Sequence, residues 1–288
     1  SKTINELFKA PSVIVWKKHL DGDMSELIWA PEIHYIDKKW YIYFAAAPNK
    51  EVTGITFNHR MYVIECLDAD PLTGTWTEKG QIKTGWESFS LDATILQHKG
   101  KLYYIWAQED RNVNYESHSN IYIAEMENPW TLRTKPVMLT QPLLDWEIKI
   151  FWVNEGPAIL KKNGRIFLTY SASATDENYC MGMLVVNEND DLLDPKSWKK
   201  LEKPVFKTSY KNKQYGPGHN SFTVSEDGMK DLLVYHARNY TDIEGDPLYD
   251  PNRHTRVQVI EWDKDGFPIF GEPVMDTRNV DFDSLRKK

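Results

Sequence analysis

Ala30-Pro31-Glu32-Ile33-His34-Tyr35-Ile36-Asp37-Lys38-Lys39-Trp40-Tyr41-Ile42-Tyr43-Phe44-Ala45 is the stretch on which the fold turns. An apolar run meets a polar turn, and an aromatic strand follows that closes on alanine. The same phrase returns as Asp92-Ala93-Thr94-Ile95-Leu96, a His98-Lys99-Gly100-Lys101 turn, and Leu102-Tyr103-Tyr104-Ile105-Trp106-Ala107. It returns again from Glu155 to Ala172 around Asn163-Gly164, and from His219 to Ala237 around Asp227-Gly228. The closing alanines stand at 45, 107, 172 and 237, so the period is 62 to 65 residues. Asn-Gly and Asp-Gly between apolar runs predict hairpins with type I′ turns, which need positive φ at both central residues.

Each copy continues into a third strand, predicted over 61–67, 121–126, 181–186 and 256–262, and then into an outer segment that often carries a tryptophan (Trp76, Trp130, Trp198). Four strands per repeat, arrayed around an axis, are propeller blades. No segment sustains a 3.6-residue apolar period, so few helices are expected. The blades fall at 29–89, 90–152, 153–216 and 217–275, with a C-terminal tail over 276–288. Residues 1–28 resemble the outer part of a further blade. The expected fold is all-β, a five-bladed β-propeller type with four complete blades and a partial first one. The alternative is that 1–28 is an extension capping four blades.

Composition narrows the function. The 288-residue chain has a net charge of −7 and no basic block, which argues against a nucleic-acid backbone as partner. No apolar run is long enough for a membrane-spanning helix. Cys66 and Cys180 do not make a disulfide framework. The start at Ser1 has neither an initiator methionine nor the apolar stretch of a signal peptide, so location is open between cytoplasm and secretion. Aromatics reach 13%, with 11 Trp and 15 Tyr. Most belong to β-rich packing; the remainder suit the apolar C–H faces of sugar rings.

In a propeller the inner strands line a central channel, so the starts of the repeats converge. Those starts carry Trp29-Ala30-Pro31, Asp92, Glu155 and His219. Three ionisable groups at the heads of apolar strands are costly unless they are paired or put to use. Two readings remain open on spacing alone: a catalytic centre, or hydrogen bonds that join blade to blade.

The runs Ile28-Trp29-Ala30-Pro31-Glu32, Ser90-Leu91-Asp92-Ala93-Thr94, Asn154-Glu155-Gly156-Pro157 and Gly216-Pro217-Gly218-His219-Asn220-Ser221-Phe222 resemble glycoside hydrolase family 43, and within it the exo-acting α-L-arabinofuranosidases. The resemblance runs almost end to end. It implies a five-bladed propeller that hydrolyses arabinofuranosyl or xylosyl linkages of plant polysaccharides with inversion. Inversion requires a protonated carboxylic acid for the leaving oxygen and an ionised carboxylate to activate water. The resemblance makes Glu155 the general acid, beside the apolar Phe151, Trp152 and Val153, and Asp92 the carboxylate that orients and tunes it. It makes His219 a channel residue that helps to hold a cation, with Ca²⁺ as the candidate cofactor. Trp29, Phe151 and Trp152 become candidates for sugar contact, and Arg256 a candidate arginine from the last blade, whose plainer role is a strand-edge ion pair.

One part of the family pattern has no match. The family's general base is an aspartate in an inner strand that would precede Ser1, and Asp21, Asp23, Glu26 and Glu32 are the nearest carboxylates in sequence. Either the chain is truncated relative to the family or another carboxylate has taken the role. Three functions follow: an arabinofuranosidase with full or reduced activity, a β-xylosidase or broader glycosidase, or a sugar-binding propeller without hydrolysis. Expected partners are arabinose- or xylose-containing oligosaccharides. An incomplete blade would also leave an open edge, so self-association as a dimer near residues 1–28 is expected.

Overall fold

The computed structural model describes Ser1, residues 3–110, Asn112 and residues 118–276. Four antiparallel sheets follow one another along the chain. The first orders its strands Glu26–Ile36, Lys39–Ala47, Arg60–Cys66 and Trp76–Gln81 from the inside out. The second runs Ser90–His98, Lys101–Gln108 and Asn120–Asn128, with Thr131–Leu132 and Val137–Thr140 both paired to the last. The third runs Asn154–Lys162, Arg165–Ala172, Cys180–Asn187 and Lys199–Lys200. The fourth has three strands, Tyr215–Val224, Asp231–Arg238 and His254–Val259, followed by a separate hairpin of Glu261–Trp262 and Pro268–Ile269. The helical elements among the described residues are three short 3₁₀ turns. The arrangement is all-β, a β-propeller of four blades.

The middle strands explain why the blades stack. Tyr43, Phe44, Tyr104, Trp106, Phe167, Leu168 and Leu233 are buried: the middle strands of the second and third blades are covered by blades on either side, whereas Phe44 of the first is covered by Met24 and Trp16 and Leu233 of the fourth packs toward the third blade. One apolar cluster joins the first three blades and a second joins the third to the fourth. Three hairpins close with two consecutive positive-φ residues, Asp37-Lys38, Lys99-Gly100 and Asn163-Gly164, as type I′ turns require. The Asp227-Gly228 turn differs from the expectation. Only Gly228 takes positive φ there, and Ser225 and Lys230 close a longer loop that the Asp227 carboxylate braces through the Met229 amide.

The partial blade expected over 1–28 takes no ladder. Among the described residues before Glu26 there is a 3₁₀ turn at Ile4–Lys9 and no strand. Lys17-Lys18-His19-Leu20-Asp21-Gly22-Asp23 lacks the two-residue alternation that a half-buried strand needs. The segment attaches through side chains instead. Trp16 packs on Phe44 with ring centroids 4.9 Å apart and donates its indole N–H to Glu78 at 2.7 Å. The tail expected over 276–288 lies outside the described residues apart from Asp276.

Candidate active site

Each inner strand contains an extra residue relative to its partner at one shared level, and the first and fourth contain a second, between Glu26 and Trp29 and between Tyr215 and Gly218. Trp29 faces Ala45 and Glu32 faces Tyr43; Leu91 and Thr94 face Ala107 and Ile105; Glu155 and Ala158 face Ser171 and Thr169; Gly218 and Ser221 face His236 and Val234. Three steps on the inner strand thus match two on its neighbour, which is a β-bulge. The residue after the last regular pair takes positive φ in every blade: Ala30 at 44°, Asp92 at 54°, Gly156 at 55° and His219 at 43°. Three of these four are not glycine and hold a backbone that side chains disfavour.

The bulges refine the alignment of the repeats. Asp92 and His219 share one structural position with Ala30 and Gly156. Glu155 stands one residue earlier, level with Trp29, Leu91 and Gly218. The sequence expectation of a single position for all three ionisable residues is corrected by that step, which only the register reveals.

The step brings Asp92 and Glu155 together. Asp92 is 6% exposed, and its Oδ2 accepts a hydrogen bond from the Gly156 amide at 3.0 Å. Nδ1 of His219 lies 3.8 Å from the same oxygen. Glu155 Oε1 accepts from the Tyr179 hydroxyl at 2.7 Å, and Tyr179 is buried. Gly156 is required twice: by its positive φ, and because a Cβ there would come within 3.3 Å of the His219 ring. A Cβ on Gly218 would strike Tyr179 at 2.5 Å, so the phenol that reaches Glu155 depends on that glycine.

Electrostatics follow from this geometry. Burial, then the neighbouring Asp92 charge, push Glu155 up to about 7 against the Tyr179 hydrogen bond, His219 and Arg253. Burial raises Asp92 to about 7 as well, with Glu32 adding to it and the Gly156 amide and Arg253 opposing. The two carboxyls titrate as a pair that retains a proton near neutrality. Burial lowers His219, which favours the neutral imidazole. Glu32 completes an acidic trio. Its Oε1 takes a hydrogen bond from Thr94 at 2.6 Å and lies 2.8 Å from His34 Nε2.

The profile of glycosyl hydrolases family 43 matches residues 1–268. The chain belongs to that family. It is 55% identical over 274 residues to an extracellular exo-α-(1→5)-L-arabinofuranosidase of Streptomyces avermitilis, covering 95% of this chain and 56% of the relative. It is 50% identical over 276 residues to α-L-arabinofuranosidase 43 of Humicola insolens, covering 96% of this chain and 56% of the relative. The chain therefore spans little more than half the length of these two curated relatives. The crystal structure of an α-L-arabinofuranosidase from Lactobacillus brevis superposes with a TM-score of 0.95 at 62% identity, covering 97% of this chain and 87% of that one.

Within this family 43 chain the other sequence candidates separate. Trp29 is half-buried, with its ring 4.1 Å from that of His59 and edge-on to Phe57 at 5.5 Å. Phe151 is 45% exposed and meets His118 edge-on, and the Trp152 carbonyl accepts the His118 amide. None of the three has a contact to Glu155 or Asp92 among the described hydrogen bonds and ring pairs. Arg256 is taken up elsewhere. It is buried, donates to the Ala237 and His254 carbonyls and pairs with Asp276 at 3.1 Å. The arginine whose charge reaches Asp92, Glu155 and His219 is Arg253, three residues earlier in the loop before that strand.

Arg256 was the family-like candidate because both arginines stand in Asn252-Arg253-His254-Thr255-Arg256, and sequence does not say where the strand begins. Tyr179 had no signal at all beyond preceding the third strand of its own blade. Of the four carboxylates named as substitutes for the base, Glu32 is the one whose charge bears on Asp92 and His219, whereas Glu26 pairs with Lys18 and Lys50 at the surface. No group of three or more His, Cys, Asp or Glu among the described residues converges to hold a metal ion. The calcium ion expected near His219 would be held there through water.

Proposed function

We propose that the chain is the hydrolytic domain of an exo-acting α-L-arabinofuranosidase that releases terminal arabinofuranosyl residues with inversion. The observation that carries this reading is Glu155: a half-buried carboxyl whose pKa is pushed up to about 7, with one neutral hydrogen-bond partner and a second carboxyl beside it. That is the requirement for protonating the oxygen that departs from a glycosidic bond. The names of the similar proteins support an arabinofuranosyl substrate, and the word extracellular in the Streptomyces avermitilis name supports a polysaccharide met outside the cell.

In this mechanism Glu155 donates its proton to the leaving oxygen as the C–O bond breaks and positive charge grows on the sugar ring. Its carboxylate is then stabilised by the Tyr179 hydroxyl and the Arg253 charge. Asp92 holds the Gly156 amide, fixing the bulge that aims Glu155, and its charge keeps the acid protonated until transfer. Glu32, which accepts from Thr94 and lies beside His34, raises Asp92 in turn. Water attack from the opposite face needs a base, a role assigned to none of these three carboxyls. A calcium ion near His219 and a two-fold dimer are kept as proposals, to be read by metal analysis and light scattering.

The test is release of nitrophenol from the aryl α-L-arabinofuranoside and the aryl β-D-xyloside, with the first-formed anomer followed by NMR. The expected result is faster cleavage of the arabinofuranoside with inverted configuration. Faster cleavage of the xyloside would make the protein a β-xylosidase, and binding without cleavage would make it a sugar-binding propeller.

A further inference from the structure

The third blade supplies Glu155 and also the phenol that bonds to it, yet the fourth blade decides where that phenol stands. Tyr179 lies in the turn between Arg165–Ala172 and Cys180–Asn187, outside the ladder of its own blade. Its amide donates to the Asp176 carbonyl at 3.3 Å, which fixes the backbone and leaves the ring to be placed by its surroundings. Those surroundings include Gly216-Pro217-Gly218-His219, at the head of the inner strand Tyr215–Val224. A Cβ on Gly216 would strike the Asp176 carbonyl, and one on Gly218 would strike the Tyr179 ring. The two glycines clear the space in which the turn and the ring are seated.

His236, on the middle strand of the fourth blade, forms the floor of that space. It faces Gly218 across the ladder, a position with no side chain. Its ring stacks on Tyr179 with centroids 5.5 Å apart and an interplanar angle of 12°. Both nitrogens of the imidazole are shut off from solvent, and neither has a hydrogen-bond partner among the described residues. Buried polar atoms without partners are costly, so this ring is not placed for the bonds it makes. Nor do its nitrogens reach a sugar in the channel. Burial, then the surrounding Arg253, His219, Arg238 and Arg256, hold its pKa well below the usual imidazole value. What it presents to the phenol is a neutral, flat surface, and such a surface fixes the plane of the ring stacked on it. Two residues along the same face of the strand, Arg238 donates to the Thr175 carbonyl in the turn that carries Tyr179. Ring and turn are thus held from one strand of the neighbouring blade.

We propose that His236 is a positioning residue for the acid, which by stacking on Tyr179 holds the phenolic hydroxyl 2.7 Å from Glu155. The proposal rests on the reading of Glu155 as the general acid. The groups that bear on Glu155 are Asp92, Tyr179, His219 and Arg253, and His236 acts through the second of them. A contact between the third and fourth blades therefore aims the one hydrogen bond that receives the carboxylate after proton transfer. Because the imidazole nitrogens make no bond, the role belongs to the shape of the ring. Phenylalanine should serve at this position, and alanine or leucine should not.

The experiment compares pH–rate profiles on α-1,5-linked arabinobiose and on the nitrophenyl arabinofuranoside, per folded molecule. The proteins are wild type, His236→Ala, His236→Leu, His236→Phe and Tyr179→Phe. His236→Ala should lower kcat for the disaccharide about threefold, the scale of one lost aromatic contact, with KM unchanged. It should move the alkaline limb upward, as Tyr179→Phe does, because the hydroxyl that lowers Glu155 is no longer held in place. Nitrophenol leaves with less help from a proton, so that substrate should lose less. His236→Phe should recover most of the loss and bring the limb back, and His236→Ala should add nothing in a Tyr179→Phe background. His236→Leu fills the space without an aromatic face and is read in the same way where the alanine variant does not fold. An unmoved limb in the alanine and leucine variants, a raised KM, or a phenylalanine variant as impaired as alanine overturns the proposal. A wild type that cleaves neither compound defeats the glycosidase reading instead. His236 is then judged by NMR titration of the Glu155 carboxyl in ¹³C-labelled protein, assigned by the signal lost in Glu155→Gln. A higher titration in His236→Ala that returns in His236→Phe supports the proposal, and the same titration in all three proteins overturns it.

Discussion

Glu147 and Glu155 stand eight residues apart, and both lie inside the third blade's surroundings, yet the protein treats them as opposites. Glu147 is 0% exposed and saturated. The amides of Leu143 and Leu144, the Tyr170 hydroxyl, the Asn154 amide and the Lys200 ammonium all donate to it. Lys200 is held below its ordinary value by burial despite that carboxylate. Glu155 has one neutral donor and a carboxyl for a neighbour. Burial alone therefore does not make an acid. The number and charge of the donors decide whether a buried carboxyl pins the fold or keeps a proton to give away.

The largest effect should come from Glu155→Gln, which removes the proposed proton donor. Turnover on arabino-oligosaccharides should fall about 10²–10⁴-fold, and undiminished kinetics would remove Glu155 from the role. The fold should gain rather than lose. Glu155 and Asp92 titrate higher folded than unfolded, so the folded state binds protons more tightly. Their contribution is present below the ordinary carboxylate range, fades as pH rises toward about 7, and is gone above it. Glu155→Gln should therefore melt above the wild type at pH 8, with a shallower decline between pH 4 and 7.

Glu147→Gln should do the reverse. It strips the half-buried Lys200 ammonium of its carboxylate, at about 3 kcal/mol of stability, a Tm fall of about 5 °C in a domain of this size. Activity per folded molecule should stay within a few-fold of wild type. A variant that melts normally would mean that Glu147 is less tightly committed to the fold than its five donors imply.

Asp92→Asn sharpens the comparison by removing the negative neighbour. Glu155 should then titrate lower, and the alkaline limb of the pH–rate profile should move down as kcat drops about tenfold. An unmoved limb would reduce Asp92 to a brace for the Gly156 amide. The smallest effect belongs to Tyr179→Phe. Its hydroxyl lowers Glu155, so the same limb should move up, with a change of a few-fold in kcat at neutral pH. A downward shift would break the assigned sense of that hydrogen bond.

The blades were legible because hairpin turns and aromatic strands are local, written within some twenty residues of each other. Asp92 and Glu155 were legible because they head such strands. The bulge was not, since its signature is a positive φ at Ala30, Asp92 and His219, where composition offers no glycine. Arg253 and Tyr179 were missed for a related reason. Both lie in loops ahead of strands, and their reach depends on where those strands begin.

The ladders that build each blade close between neighbours in sequence, and such contacts form early because little chain entropy is lost in making them. The bonds of the channel are different: Asp92 to Gly156 spans 64 residues and Thr94 to Glu32 spans 62. They can form only when finished blades meet. The channel site should thus be among the last parts of the molecule to assemble. In pulsed hydrogen exchange during refolding, the Gly156 amide should gain protection after the Leu168 amide of the same sheet, and simultaneous protection would show that the blades dock as they form.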